Sequence, residues 1–401
     1  MQRSRKLKQF HVFGSKTICP RRRLDVQKIY NYFKHNNWDF TDKIKDADII
    51  VFYTCGGFSS AEKEAIYIIK QLLKKKFENS MVIITGCLTK INPSILSKYD
   101  DCLILPYQQF SAVDDLINAK IKFNSVQDAN INIQLQSNIK RKLNYKIINR
   151  INLSKRFIRK FSRYIIRKIV NRNKIENLTF TEDTYNIMIS RGCLGNCTYC
   201  AIKLAHGKLK SKPIKNILNE FKQGLEKGYT KFVLIGEDVG CYGLDIDTNV
   251  TILLRKIFEH KHNFKLIIND FNPQWLIRYY DQLLPIFQQN IDRIQDLRMP
   301  IQSGSNRILK LMKRPYTIEQ VKTCLRDLKE KLPQLKIYTH VLVGFPSESE
   351  EDFNKSVQLI EEFNFEEIGI YLYDDRPMTE SFHMKNKIPS NIINKRANML
   401  N

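Results

Sequence analysis

Three closely spaced cysteines are the residues of this chain best suited to metal chemistry. Cys193, Cys197 and Cys200 form a Cys-x3-Cys-x2-Cys triplet directly after the apolar segment 185–189. Thiolates are good ligands for iron, and the short spacers keep all three on one loop. The triplet can therefore hold three irons of a four-iron, four-sulfur (4Fe–4S) cluster. The fourth iron is then left without a cysteine and is open to a small chelating ligand.

A structural zinc site is the alternative interpretation of the same triplet. Zinc also binds thiolates, but its structural sites usually have a fourth Cys or His at short range. The nearest candidate for that fourth ligand is His206.

Three more cysteines follow strand-like segments earlier in the chain. The pattern predicts strands at residues 10–13, 49–53, 81–85 and 102–105, with helices such as 25–36 and 60–75 between them. This alternation indicates a small parallel α/β sheet. Cys19, Cys55 and Cys87 lie just beyond three of these elements. Because loops at the carboxyl ends of parallel strands converge, we expect these cysteines to meet and hold a second cluster. Three buried core cysteines are the alternative.

The second half of the chain repeats the alternation on a larger scale. It predicts strands at residues 186–190, 232–235, 266–268, 294–297, 337–343 and 368–373, with helices between them. Six such units are too few for an eight-stranded barrel. The predicted fold class is therefore α/β, with a small parallel domain followed by a partial (β/α)6 barrel. The predicted boundaries are 1–120 for the N-terminal domain, 121–180 for a basic linker, 181–390 for the barrel and 391–401 for a tail.

Positive charge is concentrated in one segment. The net charge is +25, and residues 140–174 contain 14 Lys or Arg and no Asp or Glu. Such a cluster favours a polyanionic partner. Ile158, Phe161, Ile165 and Ile169 recur there at helical spacing, as in a cationic amphipathic helix that could lie on nucleic acid, on an anionic membrane surface or on its own protein.

Cysteine usage and hydropathy predict the compartment. The nine cysteines are odd in number and dispersed, which is not typical of a secreted disulfide framework, and no apolar signal segment follows the N-terminus. No apolar run approaches the length that spans a bilayer. We therefore expect a cytoplasmic protein without a membrane span.

The spacing of the triplet is the one by which radical S-adenosylmethionine enzymes bind the amino acid end of that cofactor, and the chain resembles this superfamily. Further motifs resemble those of the methylthiotransferases within it. They are Pro300-Ile301-Gln302-Ser303-Gly304-Ser305, Met312-Lys313-Arg314-Pro315-Tyr316-Thr317 and Gly344-Phe345-Pro346-Ser347-Glu348-Ser349-Glu350-Glu351-Asp352-Phe353.

The early cysteines take part in the same resemblance. Thr85-Gly86-Cys87-Leu88 resembles the family's Thr-Gly-Cys signature, Tyr53-Thr54-Cys55 its Asn-Thr-Cys, and Cys19 with Asp25 its first cysteine. The chain departs from the family pattern at Tyr53 and Arg22, where Asn is usual, and at Ile18, where Gly is usual. The resemblance implies that Cys19, Cys55 and Cys87 hold an auxiliary 4Fe–4S cluster.

The resemblance also implies a reaction in two steps that use S-adenosylmethionine. One molecule methylates a sulfur of the auxiliary cluster, and a second is cleaved reductively to a 5′-deoxyadenosyl radical. This radical takes a hydrogen from an unactivated carbon, which then receives the methylthio group. An electron donor such as flavodoxin or ferredoxin is implied. Cys193, Cys197 and Cys200 would hold the radical cluster, and the implied cofactor contacts are Tyr199, Gly236, Glu237, Gln302, Ser303 and Gly344, with Glu237 suited to the cofactor's ammonium.

The substrate is less constrained than the chemistry. Residues 237–245 resemble the branch that converts threonylcarbamoyladenosine in tRNA to its 2-methylthio form, and the positive charge agrees with RNA. The chain ends at Asn401, where the family usually continues into a small C-terminal barrel called TRAM. A ribosomal protein or precursor peptide is an alternative substrate. A non-catalytic iron–sulfur RNA-binding protein is an alternative of another class.

Overall fold

The computed structural model describes residues 8–15, 19–74, 80–131 and 183–400. The basic segment 140–174 and most of the predicted linker 121–180 lie outside these residues. The described chain forms two compact units. The first unit contains the described N-terminal residues up to 131, together with Leu204–His206 and Arg376–Met378, and the second unit contains the other described residues.

The first unit has a five-stranded parallel sheet with the order β2-β1-β3-β4-β5. Its strands are β1 Gln9–Gly14, β2 Asp39–Phe40, β3 Ile49–Thr54, β4 Met81–Gly86 and β5 Leu103–Ile104. Its helices are α1 Pro20–His35, α2 Ser59–Lys74, α3 Leu88–Ile91 and α4 Val113–Leu116. The predicted parallel α/β domain is confirmed, with β2 as an additional short edge strand.

Strand β3 explains why this sheet has helices on both faces. All six of its residues are buried, so it shows no alternation between apolar and polar positions. Val51 belongs to the core that contains Phe33 of α1, while Phe52 belongs to the core that contains Ile69 of α2. A fully buried apolar run of this kind is typical of a central parallel strand.

The second unit has a six-stranded parallel sheet with the order β13-β12-β11-β10-β9-β6. Its strands are β6 Thr184–Met188, β9 Lys231–Ile235, β10 Lys265–Ile268, β11 Ile294–Gln302, β12 Ile337–Val343 and β13 Glu367–Leu372. The short strands β7 Ser190–Arg191 and β8 Lys210–Ser211 pair antiparallel beside it. Neighbours in this sheet are also successive along the chain, which confirms the predicted (β/α)6 architecture.

Helices follow most of these strands and cover one face of the sheet. They are α6 Ile214–Glu226, α7 Val250–Phe258, α8 Pro273–Arg278, α9 Tyr280–Asn290, α10 Asn306–Leu311, α11 Ile318–Lys331, α12 Glu350–Phe363 and α13 Ser390–Met399, and the short helix α5 Ile202–His206 precedes them in the chain. Apolar strand residues such as Ile187 and Leu297 pack with helix residues such as Leu254 and Leu325 in one large core.

The opposite face of the second sheet is more polar. Strand residues alternate between faces, so Asn186 and the pair Asp296 and Arg298 lie opposite the apolar core. The last two form an ion pair, with Arg298 Nε 2.7 Å from Asp296 Oδ1, and both side chains are buried. The sheet therefore carries buried polar groups on the face opposite the apolar core.

Helix α13, Ser390–Met399, covers most of the segment 391–401 for which the sequence predicts a tail. Ile393 packs with Val341 and Val343 of β12, and Arg396 Nη1 lies 2.8 Å from Glu348 Oε2. Burial raises the pKa of Glu348 to about 7, against the opposing effects of the Gly344 N–H and Arg396. Among the described residues, no helix combines the length and apolar character needed to cross a bilayer.

Candidate functional site

The cysteine triplet lies on a loop that begins where β6 ends. Strands β7 and β8 pair antiparallel and so close this loop at its base. Gly192 enters the loop with a φ of 70°, and a Cβ atom added there would lie 2.2 Å from the carbonyl oxygen of Lys208. Only glycine satisfies both the backbone conformation and the close approach. The path of the loop therefore requires glycine at the position directly before Cys193.

Replacing Gly192 by Ala should destabilise the second unit more than the same change at Gly228. Both glycines have a positive φ, which costs an L-residue about 1–2 kcal/mol. An added Cβ at Gly228 has no atom within 4 Å, whereas at Gly192 it collides with backbone and should cost about 1–3 kcal/mol more. Thermal unfolding of the two variants measures this difference. An equal fall in Tm would contradict the proposed close approach.

The three thiols of the loop lie near one another. Burial raises the pKa of Cys193 to about 12, and Cys200 adds to this rise. Burial likewise raises the pKa of Cys200, with Cys197 as the next cause. A Cβ added at Gly195 would lie 3.7 Å from the sulfurs of both Cys193 and Cys197. Thiolates at these positions need positive charge close by, which bound irons would provide.

The arrangement of the three thiols suits an iron–sulfur cluster. Within the described ranges, no three His, Cys, Asp or Glu side chains are placed so that they could hold one metal ion. In a 4Fe–4S cluster each thiolate binds its own iron, so the sulfurs surround the cluster and do not converge on one point. The three neighbouring thiols of the loop therefore suit such a cluster.

A buried arginine contacts the triplet. Arg314 Nη1 donates to Cys197 Sγ at 3.4 Å, while its other nitrogens donate to the Pro300 carbonyl at 2.7 Å and to Tyr316 Oη at 2.9 Å. A cation beside a thiol favours the thiolate form, which is the form that binds iron. The sequence placed Arg314 in a family-like motif without giving it a role, so the structure adds it to the site.

The middle of the cysteine loop is tied to α10. Thr198 donates to the Met312 and Leu311 carbonyls at 3.2 and 3.0 Å, and its own carbonyl accepts from Ser381 N at 2.8 Å. Tyr199 packs edge-on against Phe345, with ring centroids 6.3 Å apart. These contacts fix the loop between Cys197 and Cys200 within the second unit.

Two predicted cofactor residues lie against the start of the loop. Glu237 Oε2 accepts a hydrogen bond from Gly192 N at 2.6 Å, and a Cβ added at Gly236 would lie 2.9 Å from Ser190 Oγ. Both residues follow β9 at its carboxyl end, where open parallel sheets bind ligands. The structure therefore brings Gly236 and Glu237 to the triplet and gives the carboxylate of Glu237 a partner in the loop backbone.

The other predicted cofactor residues lie at the ends of β11 and β12. Gln302 has a φ of 78°. Ser303 is buried, and its hydroxyl accepts from Ser305 N at 3.1 Å and lies 3.4 Å from Ser356 Oγ. Gly344 has a φ of 83°, and an added Cβ would lie 2.4 Å from Ile393 Cγ1. The packing of α13 therefore gives a structural reason for glycine at position 344, besides the cofactor contact that the resemblance implies.

The three early cysteines come together in the first unit. Cys19 is the N-cap of α1, Cys55 follows β3, and Cys87 follows β4 and donates its N–H to the Thr54 carbonyl at 3.0 Å. Burial raises the pKa of Cys87 well above its usual value; Arg22 opposes this rise, and Cys55 and Cys19 add to it. The three sulfurs are thus within electrostatic reach of one another, as the convergence of the loops predicts.

His206 contacts one of these cysteines. Its Nε2 lies 3.5 Å from Cys87 Sγ, within the first unit to which Leu204–His206 belongs. The zinc interpretation of the triplet used His206 as its fourth ligand. The contact with Cys87 gives this histidine a different neighbour.

Comparison with known proteins defines first the class and then the family. Residues 187–360 match the Radical SAM superfamily, and residues 10–105 match the uncharacterized protein family UPF0004. The chain is 30% identical over 359 residues to a probable threonylcarbamoyladenosine tRNA methylthiotransferase from Archaeoglobus fulgidus, an alignment that covers 89% of this chain and 75% of the relative. The chain therefore belongs to the radical S-adenosylmethionine methylthiotransferase family.

Two further comparisons bear on substrate and fold. The chain is 27% identical over 390 residues to a ribosomal protein uS12 methylthiotransferase from Desulforamulus reducens, covering 94% of this chain and 78% of that one. It also resembles the solved structure of the radical S-adenosylmethionine methyltransferase TsrM from Kitasatospora setae, with a TM-score of 0.61 and 12% identity over 93% of this chain and 75% of that one. The second likeness concerns the fold alone.

Membership in this family confirms the predicted enzyme class. Radical S-adenosylmethionine enzymes use a 4Fe–4S cluster and S-adenosylmethionine, and the cysteine triplet lies within the matching residues 187–360. The chain is therefore a methylthiotransferase. The zinc interpretation and the non-catalytic RNA-binding alternative are both disfavoured.

Proposed function

We propose that this enzyme inserts a methylthio group at C2 of threonylcarbamoyladenosine in tRNA. The observation that carries the proposal is the 30% identity to the Archaeoglobus fulgidus relative, which bears the name of that activity. The run 237–245 resembles the same branch, and the net charge of +25 suits a polyanionic substrate. The alternative substrate is a ribosomal protein or a precursor peptide, for which the Desulforamulus reducens relative is the precedent.

The cysteines divide between two clusters in this proposal. Cys193, Cys197 and Cys200 hold the radical 4Fe–4S cluster in the second unit, and Cys19, Cys55 and Cys87 hold an auxiliary 4Fe–4S cluster in the first. When bound, the clusters and S-adenosylmethionine supply the radical and the methylthio group. The chain's own residues hold these groups, orient the substrate carbon and exclude water.

The residues around the triplet have distinct tasks in this proposal. Arg314 stabilises the Cys197 thiolate by charge and by a hydrogen bond of 3.4 Å. Glu237 holds the loop at Gly192 and is positioned to accept from the cofactor's ammonium. The remaining cofactor contacts are assigned to Tyr199, Gly236, Gln302, Ser303 and Gly344.

The proposed chemistry implies an electron donor and a cellular compartment for the enzyme. Reductive cleavage of S-adenosylmethionine needs one electron, so we expect a small donor such as flavodoxin or ferredoxin as a partner. A tRNA substrate places the enzyme in the cytoplasm. The proposed domain boundaries are 1–120 for the N-terminal domain, 121–180 for the basic linker, 181–390 for the barrel and 391–401 for the tail.

Nucleoside analysis tests the substrate. Cells that make threonylcarbamoyladenosine but not its 2-methylthio form should gain the 2-methylthio nucleoside when they express this chain, because the enzyme supplies the missing step. Mass spectrometry of digested tRNA measures the product. Expression of the Cys197→Ala variant is the control and should leave the nucleoside unmodified. Unchanged tRNA together with a methylthio group on a ribosomal protein or peptide would replace the proposed substrate with the alternative.

A further inference from the structure

A buried charged network lies among the elements that carry the early cysteines. Asp25 Oδ2 accepts one hydrogen bond from Arg22 Nη1 at 2.9 Å and another from Tyr53 Oη at 2.9 Å. The side chains of Arg22 and Asp25 are 3% and 0% exposed, and Tyr53 is 0% exposed.

This network touches all three cysteine-bearing elements. Arg22 lies in the first turn of α1, where its N–H donates to the Cys19 carbonyl at 2.9 Å. Tyr53 lies on β3, two residues before Cys55. The ring of Tyr53 also packs against Gly86, the residue before Cys87, since a Cβ added at Gly86 would lie 2.7 Å from Tyr53 Cδ1. One carboxylate therefore links the backbone segments of the three thiols.

Stability alone does not explain why this network is buried. Burying an ion pair usually costs about as much desolvation energy as the pair regains, and apolar residues of similar size are often as stable or more so. A charge placed where it acts on the thiolates gives the network a purpose besides stability.

We infer that Arg22, held by Asp25 and Tyr53, is a positioning residue that sets the electrostatic environment of the auxiliary cluster and thereby its reduction potential. The inference rests on the proposed function in that it requires a cluster on Cys19, Cys55 and Cys87. The geometry places this charge among the ligands, because the Arg22 N–H lies 2.9 Å from the Cys19 carbonyl oxygen and its guanidinium is held by Asp25 at 2.9 Å.

The two charges of the network should act with opposite sign. Reduction adds one negative charge to the cluster, so a nearby cation stabilises the reduced state and raises the potential. A nearby carboxylate lowers it for the same reason. Loss of the Arg22 charge should therefore shift the midpoint potential downward, and loss of the Asp25 charge should shift it upward. A purely structural network predicts no such opposition.

The experiment uses full-length protein in which Cys193, Cys197 and Cys200 are replaced by Ala, so that only the auxiliary cluster remains. Arg22→Gln, Arg22→Lys and Asp25→Asn are introduced into this parent. The midpoint potential is measured by a redox titration followed by electron paramagnetic resonance, with iron content determined in parallel. Lys28→Gln is the matched control, because Lys28 lies on the same helix in a partly buried ion pair with Asp128 at 3.1 Å.

We expect a more negative potential for Arg22→Gln, a more positive potential for Asp25→Asn, and values near the parent for Arg22→Lys and Lys28→Gln. Shifts in the same direction, or no shift with iron retained, would overturn the inference. If Arg22→Gln does not fold, Asp25→Asn decides alone, since a positive shift supports the inference and an unchanged potential overturns it. A folded parent that binds no cluster would overturn the auxiliary-cluster proposal itself, which is a distinguishable result.

Discussion

Replacing Cys193, Cys197 and Cys200 together by Ala should abolish reductive cleavage of S-adenosylmethionine and halve the bound iron, from about eight to about four atoms per chain. The three thiols share one loop of the second unit, while Cys19, Cys55 and Cys87 come together in the first. Removal of one set should therefore leave the other set with its ligands. Iron analysis after anaerobic reconstitution and chromatographic detection of 5′-deoxyadenosine measure the two effects.

Cys324→Ala is the control for this experiment. Cys324 lies in α11, away from both cysteine sets in sequence, and packs against the large core of the second unit. Its loss should leave iron content and cleavage unchanged. An unmodified chain that saturates at about four irons would contradict the assignment of two clusters. A triple variant that still forms 5′-deoxyadenosine would contradict the assignment of the radical cluster to the triplet.

Buried parallel strands were the most predictable part of the fold. The predicted strand 337–343 coincides with β12, because a run such as Ile-Tyr-Thr-His-Val-Leu-Val is rich in β-branched and aromatic residues throughout. Strand β2 contains only two residues, which is too short for any periodic signal. Strands β7 and β8 are equally short, and their pairing depends on the path of the intervening cysteine loop.

The start of α1 shows a second limit of sequence patterns. Apolar periodicity predicts the helix 25–36, whereas the structure begins it at Pro20. The first turn contains Arg21, Arg22 and Arg23, which carry no apolar signal, although Pro is favoured at the first helical position. The earlier start matters for function, because it places Cys19 at the N-cap and Arg22 within reach of Asp25.

The candidate site likewise contains residues that could be predicted from the sequence and residues that could not. The cysteines could be predicted, because their type and spacing carry the chemistry by themselves. Arg314 could not be assigned, because its contact with Cys197 joins residues 117 positions apart and depends on how the loop meets α10. The network of Arg22, Asp25 and Tyr53 is similar, since only the fold brings Tyr53 of β3 against Asp25 of α1. Sequence patterns identify ligands more readily than the charges that surround them.

Replacing Cys87 or Cys55 by Ala should abolish methylthio transfer while much of the reductive cleavage of S-adenosylmethionine remains. Loss of residues that only support metal ligands commonly costs about 10- to 100-fold in metal affinity or activity, so loss of a ligand should reduce transfer by more than about 100-fold. Cleavage should persist because the triplet has its own loop in the second unit. Methylthiolated product and 5′-deoxyadenosine are measured in the same reaction.

Cys102→Ala separates loss of a ligand from loss of a buried side chain. Cys102 is 8% exposed and packs in a core of the same unit, so its burial is close to that of Cys55 at 7% and Cys87 at 3%. Each replacement by Ala removes one buried sulfur and should have a similar packing cost. Only the changes at Cys55 and Cys87 should stop transfer. If the Cys102 variant loses transfer equally, or if cleavage vanishes in the Cys87 variant while the radical cluster keeps its normal spectrum, then the division of work between two clusters is wrong.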